Sequence, residues 1–147
     1  MTRIMLVVVF VACAPELARA SNCSVTATSI AFGSYDVFSA APLDSVGTIS
    51  YRCLGNANAT ITISRGQSST FGPRILAKGA ERLSYNLFLD AARTVVWGDA
   101  SGGTQPYVDG DAPNNQTVTI PIYGRIPADQ DVSAGVYSDT VVAIINF

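Results

Sequence analysis

The sequence predicts an all-β domain, an immunoglobulin-like sandwich held by one disulfide, on three observations. Apolar and polar residues alternate at period two in several segments rich in Val, Ile, Thr and Tyr. Gly, Asn, Asp and Pro clusters punctuate those segments. Two cysteines, Cys23 and Cys53, form an even pair in the part of the chain expected to be exported. Helical periodicity is missing, and only Ala91-Ala92-Arg93 reads as a single helical turn.

The chain opens as an export signal. Arg3 supplies a positive start, Ile4–Ala12 an apolar run, and Ala18-Arg19-Ala20 an A-x-A cleavage site, so residues 1–20 are expected to be a leader and residues 21–147 the mature domain. A second reading takes Phe10-Val11-Ala12-Cys13 as a lipoprotein processing box with Cys13 lipidated, although position 10 lacks the usual leucine. Removing the leader leaves seven basic residues against ten acidic ones, a balance that disfavours a nucleic-acid partner. The apolar run is too short to span a bilayer, and the longest later one is Val141–Ile145, so no transmembrane segment is expected. The 127 mature residues suffice for one domain with a core of its own.

Cleavage after Ala20 removes Cys13 and leaves Cys23 and Cys53. In an exported chain they read as a disulfide, contributing roughly 3–4 kcal/mol in the chain-entropy model. In Thr48–Cys53 the apolar residues Ile49, Tyr51 and Cys53 share a face. Ile61 and Ile63 do so in Ala59–Arg65, Leu83, Tyr85, Leu87 and Leu89 beyond Arg82, and Val118, Ile120 and Ile122 beyond Gln116. Each is the pattern of a half-buried strand. Arg65–Gly79, Gly98–Asn115 and Pro127–Gly135 read as polar, Gly-rich loops, and Pro121, inside its strand, predicts a sheet edge or bulge there.

The strongest strand pattern comes last. After the turn at Gly135 the chain runs Val136-Tyr137-Ser138-Asp139-Thr140 into Val141–Ile145, apolar on both faces, and ends on Phe147 with no following strand to close the sheet. Such a strand at an open edge exposes unpaired backbone groups and apolar side chains, which proteins normally cover.

Chemistry is poorly provided for, and the chain is read as a non-enzyme. Histidine is absent, which excludes Ser/His/Asp and Cys/His nucleophiles, and two isolated cysteines make no metal site. Asp109 and Asp111 hint at a calcium loop, but Pro113 takes a ligand position and no glutamate follows at the right distance, so a solvated turn is the plainer reading. Asp90 and Asp99 suit turn capping better than acid/base work. Asn22-Cys23-Ser24, Asn58-Ala59-Thr60 and Asn115-Gln116-Thr117 match glycosylation sites but read as turn chemistry. Trp97 and Tyr107, flanking a Gly-rich loop, are candidates for a surface-binding platform, and Phe88 with Tyr123 for a subunit contact. No cofactor and no metal are expected.

Several motifs in order resemble the spore coat protein U domain family, which includes subunits of archaic, Csu-type chaperone/usher pili. They are Cys23 with Cys53, Tyr85-Asn86-Leu87-Phe88-Leu89-Asp90 running into Ala91-Ala92-Arg93-Thr94, Val118-Thr119-Ile120-Pro121-Ile122-Tyr123-Gly124, and Gly135-x-Tyr137-x-Asp139-Thr140 leading to Asn146-Phe147. The resemblance covers nearly all of the mature chain. It implies an incomplete immunoglobulin fold lacking the last strand, completed by donor-strand complementation, with Val141, Val142, Ala143, Ile144, Ile145 and Phe147 as the acceptor strand. The implied partners are a periplasmic pilus chaperone, an outer-membrane usher and other pilus or coat subunits. The implied destination is the periplasm and then the cell surface. A donated strand would add roughly 6–15 kcal/mol as an upper bound. One departure stands out: only Ser21 and Asn22 precede Cys23 in the mature chain, whereas a donor segment needs roughly ten residues at about 3.3 Å each. The mature subunit is therefore expected to accept a strand without donating one. A tip adhesin-like binding module is the alternative reading.

Overall fold

The computed structural model describes residues 2–10, 22–55 and 57–147. Cys13 and the Ala18-Arg19-Ala20 site, on which the two processing readings rest, lie outside them. Ten strands follow in order: β1 Thr2–Phe10, β2 Asn22–Ala27, β3 Ala31–Tyr35, β4 Leu43–Leu54, β5 Ala57–Ile63, β6 Arg74–Lys78, β7 Glu81–Phe88, β8 Tyr107–Ala112, β9 Thr117–Ile126 and β10 Val136–Asn146. No helix is found among the described residues, as the alternation predicted.

The strands form a sandwich with one core. One layer runs β2-β4-β9-β7, and the other places β5 between β8 and β10 and continues through β1 to β3. The layers join where β6 pairs β7 along its length and touches β10 at Ser138↔Ala77. The longest ladder is β4 with β9, from Leu43↔Ile126 to Arg52↔Thr117. Its inward residues Ile49, Tyr51, Cys53, Ile120, Ile122 and Ile126 are buried against Ile61, Ile63, Leu83, Tyr85, Leu87, Val141, Ala143 and Ile145. Period-two burial of this kind supplies the hydrophobic term that sandwiches depend on.

Between β2 and β3 the chain changes layer, and two glycines allow it. A Cβ at Gly47 would lie 2.6 Å from Ile30 Cγ1, and one at Gly124 would lie 2.6 Å from Phe32 Cζ. Ile30 and Phe32 occupy the space left by those missing side chains, so β2 pairs with β4 while β3 reaches the opposite layer. Cys23 and Cys53 are register partners across β2 and β4, and their sulfurs are bonded, as expected.

Three local expectations need correction. The stretch Arg65–Gly79 contains β6, obscured because one inward position of its five residues is an arginine. Gly98–Asn115 contains β8, whose Asp109-Gly110-Asp111 composition disfavours strand but suits an edge that pairs only β5. Ala91-Ala92-Arg93 forms no helical turn: Arg93 has φ of 59° and donates its N–H to the Asp90 carbonyl at 3.0 Å, a tight turn. Pro121 behaves as predicted. β7 pairs β9 only at Tyr123, Gly124 and Arg125, so at Pro121 only β4 is paired with β9.

Candidate strand-acceptor slot

β10 is held on one flank by the domain's own chain. It pairs with β6 at Ser138 and with β5 from Ala143↔Ile63 to Asn146↔Thr60, and the β5–β6 loop fills the interval. Ser64 donates its N–H to the Val142 carbonyl at 2.8 Å, and its Oγ accepts the Val142 N–H at 2.9 Å. The Gln67 side chain donates to the Ser138 carbonyl at 2.9 Å.

Asp139 fixes that flank. Its carboxylate is 1% exposed and accepts the Gln67 N–H at 2.9 Å, the Thr140 N–H at 2.8 Å and the Tyr85 hydroxyl at 2.6 Å. Burial, reinforced by the carboxylate, pushes the Tyr85 phenol well above its ordinary range, so Tyr85 remains a donor. Gly66, at φ +64°, admits the carboxylate, since a Cβ there would meet Asp139 Oδ2 at 2.0 Å. Two residues earlier, Tyr137 donates to Glu81 and lies 3.0 Å from the Ser133 carbonyl, tying the start of β10 to the β6–β7 turn. The Tyr137 hydrogen bond, followed by those from Ser133, lowers the Glu81 pKa to about 2.

Arg74 supports the same flank from behind. Fully buried, it donates to the Ser64 carbonyl at 2.9 Å, the Trp97 carbonyl at 2.6 Å and Asn86 Oδ1 at 2.6 Å, with its guanidinium 5.0 Å from the centre of the Phe71 ring. Burial lowers its pKa to about 10, which leaves it charged at neutral pH. Hydrogen bonds to carbonyls satisfy a buried cation that would otherwise be very costly.

The other flank of β10 is built differently. β1 runs parallel to it from Arg3↔Val136 to Phe10↔Ala143, and β3 pairs antiparallel with the far side of β1 from Thr2↔Tyr35 to Met5↔Ala31. Among the described residues β10 and β3 do not pair with each other, and the strand joining them is β1, from residues 2–10. Without it, β10 and β3 face each other as the two edges of a slot.

The residues predicted for the acceptor strand divide by face. Val141, Ala143 and Ile145 point into the core and are buried, while Val142 and Ile144 are half-buried on the outer face, so of the two apolar faces only one is core. Phe147 lies beyond the end of β10 and is 51% exposed. What sequence reading missed was the inward register of Tyr137 and Asp139; an acid between Tyr137 and Val141 on a core-facing period was the available signal.

The other candidate groups have structural places. Trp97 is fully buried, donates Nε1–H to the Ile61 carbonyl at 2.9 Å and stacks near Tyr107 with centroids 6.2 Å apart. A surface platform built on Trp97 is thus corrected: the indole is core, and only half-buried Tyr107 reaches the surface. Asp109 accepts the Tyr51 hydroxyl and sits in β8 rather than a turn, and no group of three metal-ligating side chains occurs among the described residues. Asp90 accepts the Thr94 and Val95 N–H groups, and Asp99 the N–H and the hydroxyl of Ser101, so each closes its own turn. Phe88 and Tyr123 are register partners, half-buried on the outer face.

The ordered motifs now have a common frame, and comparison with known proteins matches it. A family model described as Spore Coat Protein U domain matches residues 9–144. The chain belongs to this family. It is 35% identical over 129 residues to Protein U of Myxococcus xanthus, covering 79% of this chain and 70% of that protein. It is also similar in fold to a solved CsuC–CsuE chaperone–tip adhesion subunit pre-assembly complex from the archaic chaperone-usher Csu pili of Acinetobacter baumannii. That likeness has a TM-score of 0.58 at 17% identity and covers 87% of this chain but 40% of the matched one. The Gly135-x-Tyr137-x-Asp139-Thr140 motif of this chain is the segment that clamps β10: Tyr137 ties it to Glu81, and Asp139 ties it to Tyr85 and Gln67. No helix among the described residues is long and apolar enough to cross a membrane.

Proposed function

We propose that the protein is an exported structural subunit of a bacterial surface coat or pilus that is completed by accepting a β-strand between β10 and β3. The observation that carries this reading is the separation of those two strands: among the described residues β10 is clamped on one side, and its other side is paired by residues 3–10 alone. Strand addition suits such an edge, because main-chain hydrogen bonds supply affinity and alternate side chains read the core below. The partners implied are a periplasmic chaperone that lends the strand first, an usher at the outer membrane, and neighbouring coat or pilus subunits.

With the leader removed after Ala20, Ser21 and Asn22 alone precede Cys23, and Asn22 is already the first residue of β2. A subunit processed in that way accepts a strand and has none to donate, which places it at a fibre end or in a coat assembled without head-to-tail exchange. The reading is tested by co-expressing the precursor in a periplasm with an archaic-type pilus chaperone and mapping hydrogen exchange in the purified complex. A one-to-one complex that protects the amides of β10 and β3 is expected. A chaperone bound elsewhere, with those amides still exchanging, contradicts it.

A further inference from the structure

Among the described residues β8 and β2 are each paired on one side only, β8 by β5 and β2 by β4. The sequence treats the two edges differently. β8 carries Asp109-Gly110-Asp111, and charge and glycine both discourage a free edge from pairing with another chain. β2 is Asn22-Cys23-Ser24-Val25-Thr26-Ala27, without a charge, a proline or a glycine. Its inward residues Cys23, Val25 and Ala27 pack on the core yet stay half-buried, since no described strand lies outside them. The ladder to β4 fixes which backbone groups of β2 are free. The Thr28 N–H donates to the Thr48 carbonyl at 2.9 Å, so the even-numbered residues turn their backbone groups toward β4, and Cys23, Val25 and Ala27 turn theirs away.

We propose that β2 is a dimerisation edge: two copies of this chain pair their β2 strands antiparallel about a twofold axis at Val25, joining their β2-β4-β9-β7 layers into one continuous sheet. A second copy is the partner that the pattern of β2 fits. Centred on Val25, the pairing sets Cys23 opposite the second copy's Ala27 and Val25 opposite its own counterpart, and each such pair exchanges its main-chain hydrogen bonds. On the outer face Ser24 meets the second copy's Thr26, and Asn22 meets its Thr28, polar pairs that bring no like charges together. Moving the axis to Ser24 or Thr26 carries Ala27 or Cys23 past the end of the facing β2, so the Val25 register alone engages all three outward residues. The inference goes beyond strand acceptance at β10 and does not depend on it, because β2 lies in the other layer. It gives a coat a lateral contact that needs no donated strand. A single short strand pair is a weak contact between free molecules, and it gains where subunits are already held side by side.

The test uses protein purified from the periplasm, free or with the chaperone that accompanies it, followed by light scattering across a dilution series and by amide exchange at both ends of the series. The mass is expected to rise toward twice that of the dilute unit. The amides of Cys23, Val25 and Ala27 are expected to exchange more slowly in the concentrated sample, while those of Ser24 and Thr26, already turned to β4, do not change. Val25→Pro deletes an outward N–H at the axis and leaves the β4 ladder whole, so it is expected to hold the mass at the dilute value throughout. A constant mass in the unsubstituted protein overturns the inference, as does a doubled mass with unchanged exchange at Cys23, Val25 and Ala27, or doubling that persists in folded Val25→Pro. If Val25→Pro does not fold, exchange in the unsubstituted protein decides. Failure to isolate a chaperone complex counts against strand acceptance and leaves this comparison intact, because the mass is read against the unit as purified.

Discussion

The two flanks of β10 are built on opposite principles. Toward β5 and β6 the strand is fastened by side chains: Asp139 with three donors, Ser64 with a two-way bond to Val142, Gln67 on the Ser138 carbonyl, and Tyr137 on Glu81. Toward β1 its described partner is a main-chain ladder to residues that precede the domain. The proposed strand exchange needs this asymmetry, since β10 would have to keep its position while its neighbour is replaced. The clamp fixes register and twist, and the open side supplies backbone groups that any extended segment can satisfy.

Substitutions on the clamp sharpen the comparison, beginning with the largest effect. Arg74→Met leaves the Ser64 and Trp97 carbonyls and Asn86 without their buried donor, and is expected to lower the unfolding free energy by about 3 kcal/mol in denaturant titration of the complemented protein. Asp139→Ala strands the Tyr85 hydroxyl and the Gln67 N–H, with an expected loss of about 2–3 kcal/mol and increased exchange of the Ser138–Val142 amides. Reducing the Cys23–Cys53 bond, remote from the clamp, is expected to cost about 3 kcal/mol without changing strand uptake at β10.

Smaller effects separate the faces and the tip. Val141→Ala removes buried methyl groups and is expected to cost about 1–2 kcal/mol, whereas Phe147→Ala, half exposed past the strand, is expected to stay within about 0.5 kcal/mol. An equal loss at both positions would break the distinction between them. The Tyr137–Glu81 tie adds a pH signature. The folded pKa of Glu81 is about 2, below the ordinary value of 4.5, so its contribution is fully present above pH 4.5 and is lost as pH falls from there through about 2. Glu81→Gln should flatten the acid limb of a stability–pH curve in that window by lowering stability at neutral pH and leaving the most acid end unchanged.

The layer that carries no open edge at β10 was the readable part. β4, β7 and β9 alternate apolar and polar residues, and Ile49, Leu83, Tyr85, Leu87, Ile120 and Ile122 all lie on the core side as the period predicts. β6 and β8 were hidden because their inward and edge positions hold Arg74, Asp109 and Asp111; Arg74 and Asp109 are satisfied by partners distant in the chain, and Asp111 is exposed on the edge strand. The same reason hid the clamp: nothing local to Asp139 announces Tyr85 or Gln67. Trp97 was misplaced because a Gly-rich loop suggested exposure, whereas the ring fills the core and uses the Ile61 carbonyl. That the last segment is a strand was legible, because the chain is apolar at every position from Val141 to Ile145.

The proposed function requires that residues 21–147 do not close into a complete sandwich by themselves. Intact mass will first locate the mature start and the disulfide in protein taken from the periplasm. Urea unfolding of that protein, alone and with an archaic pilus chaperone bound, is then the most direct measurement. A cooperative transition that appears only in the complex, with the isolated chain aggregating or lacking fixed structure, is the predicted result. A stable, cooperatively unfolding monomer without any added strand would mean that β10 and β3 close on their own, and would contradict it.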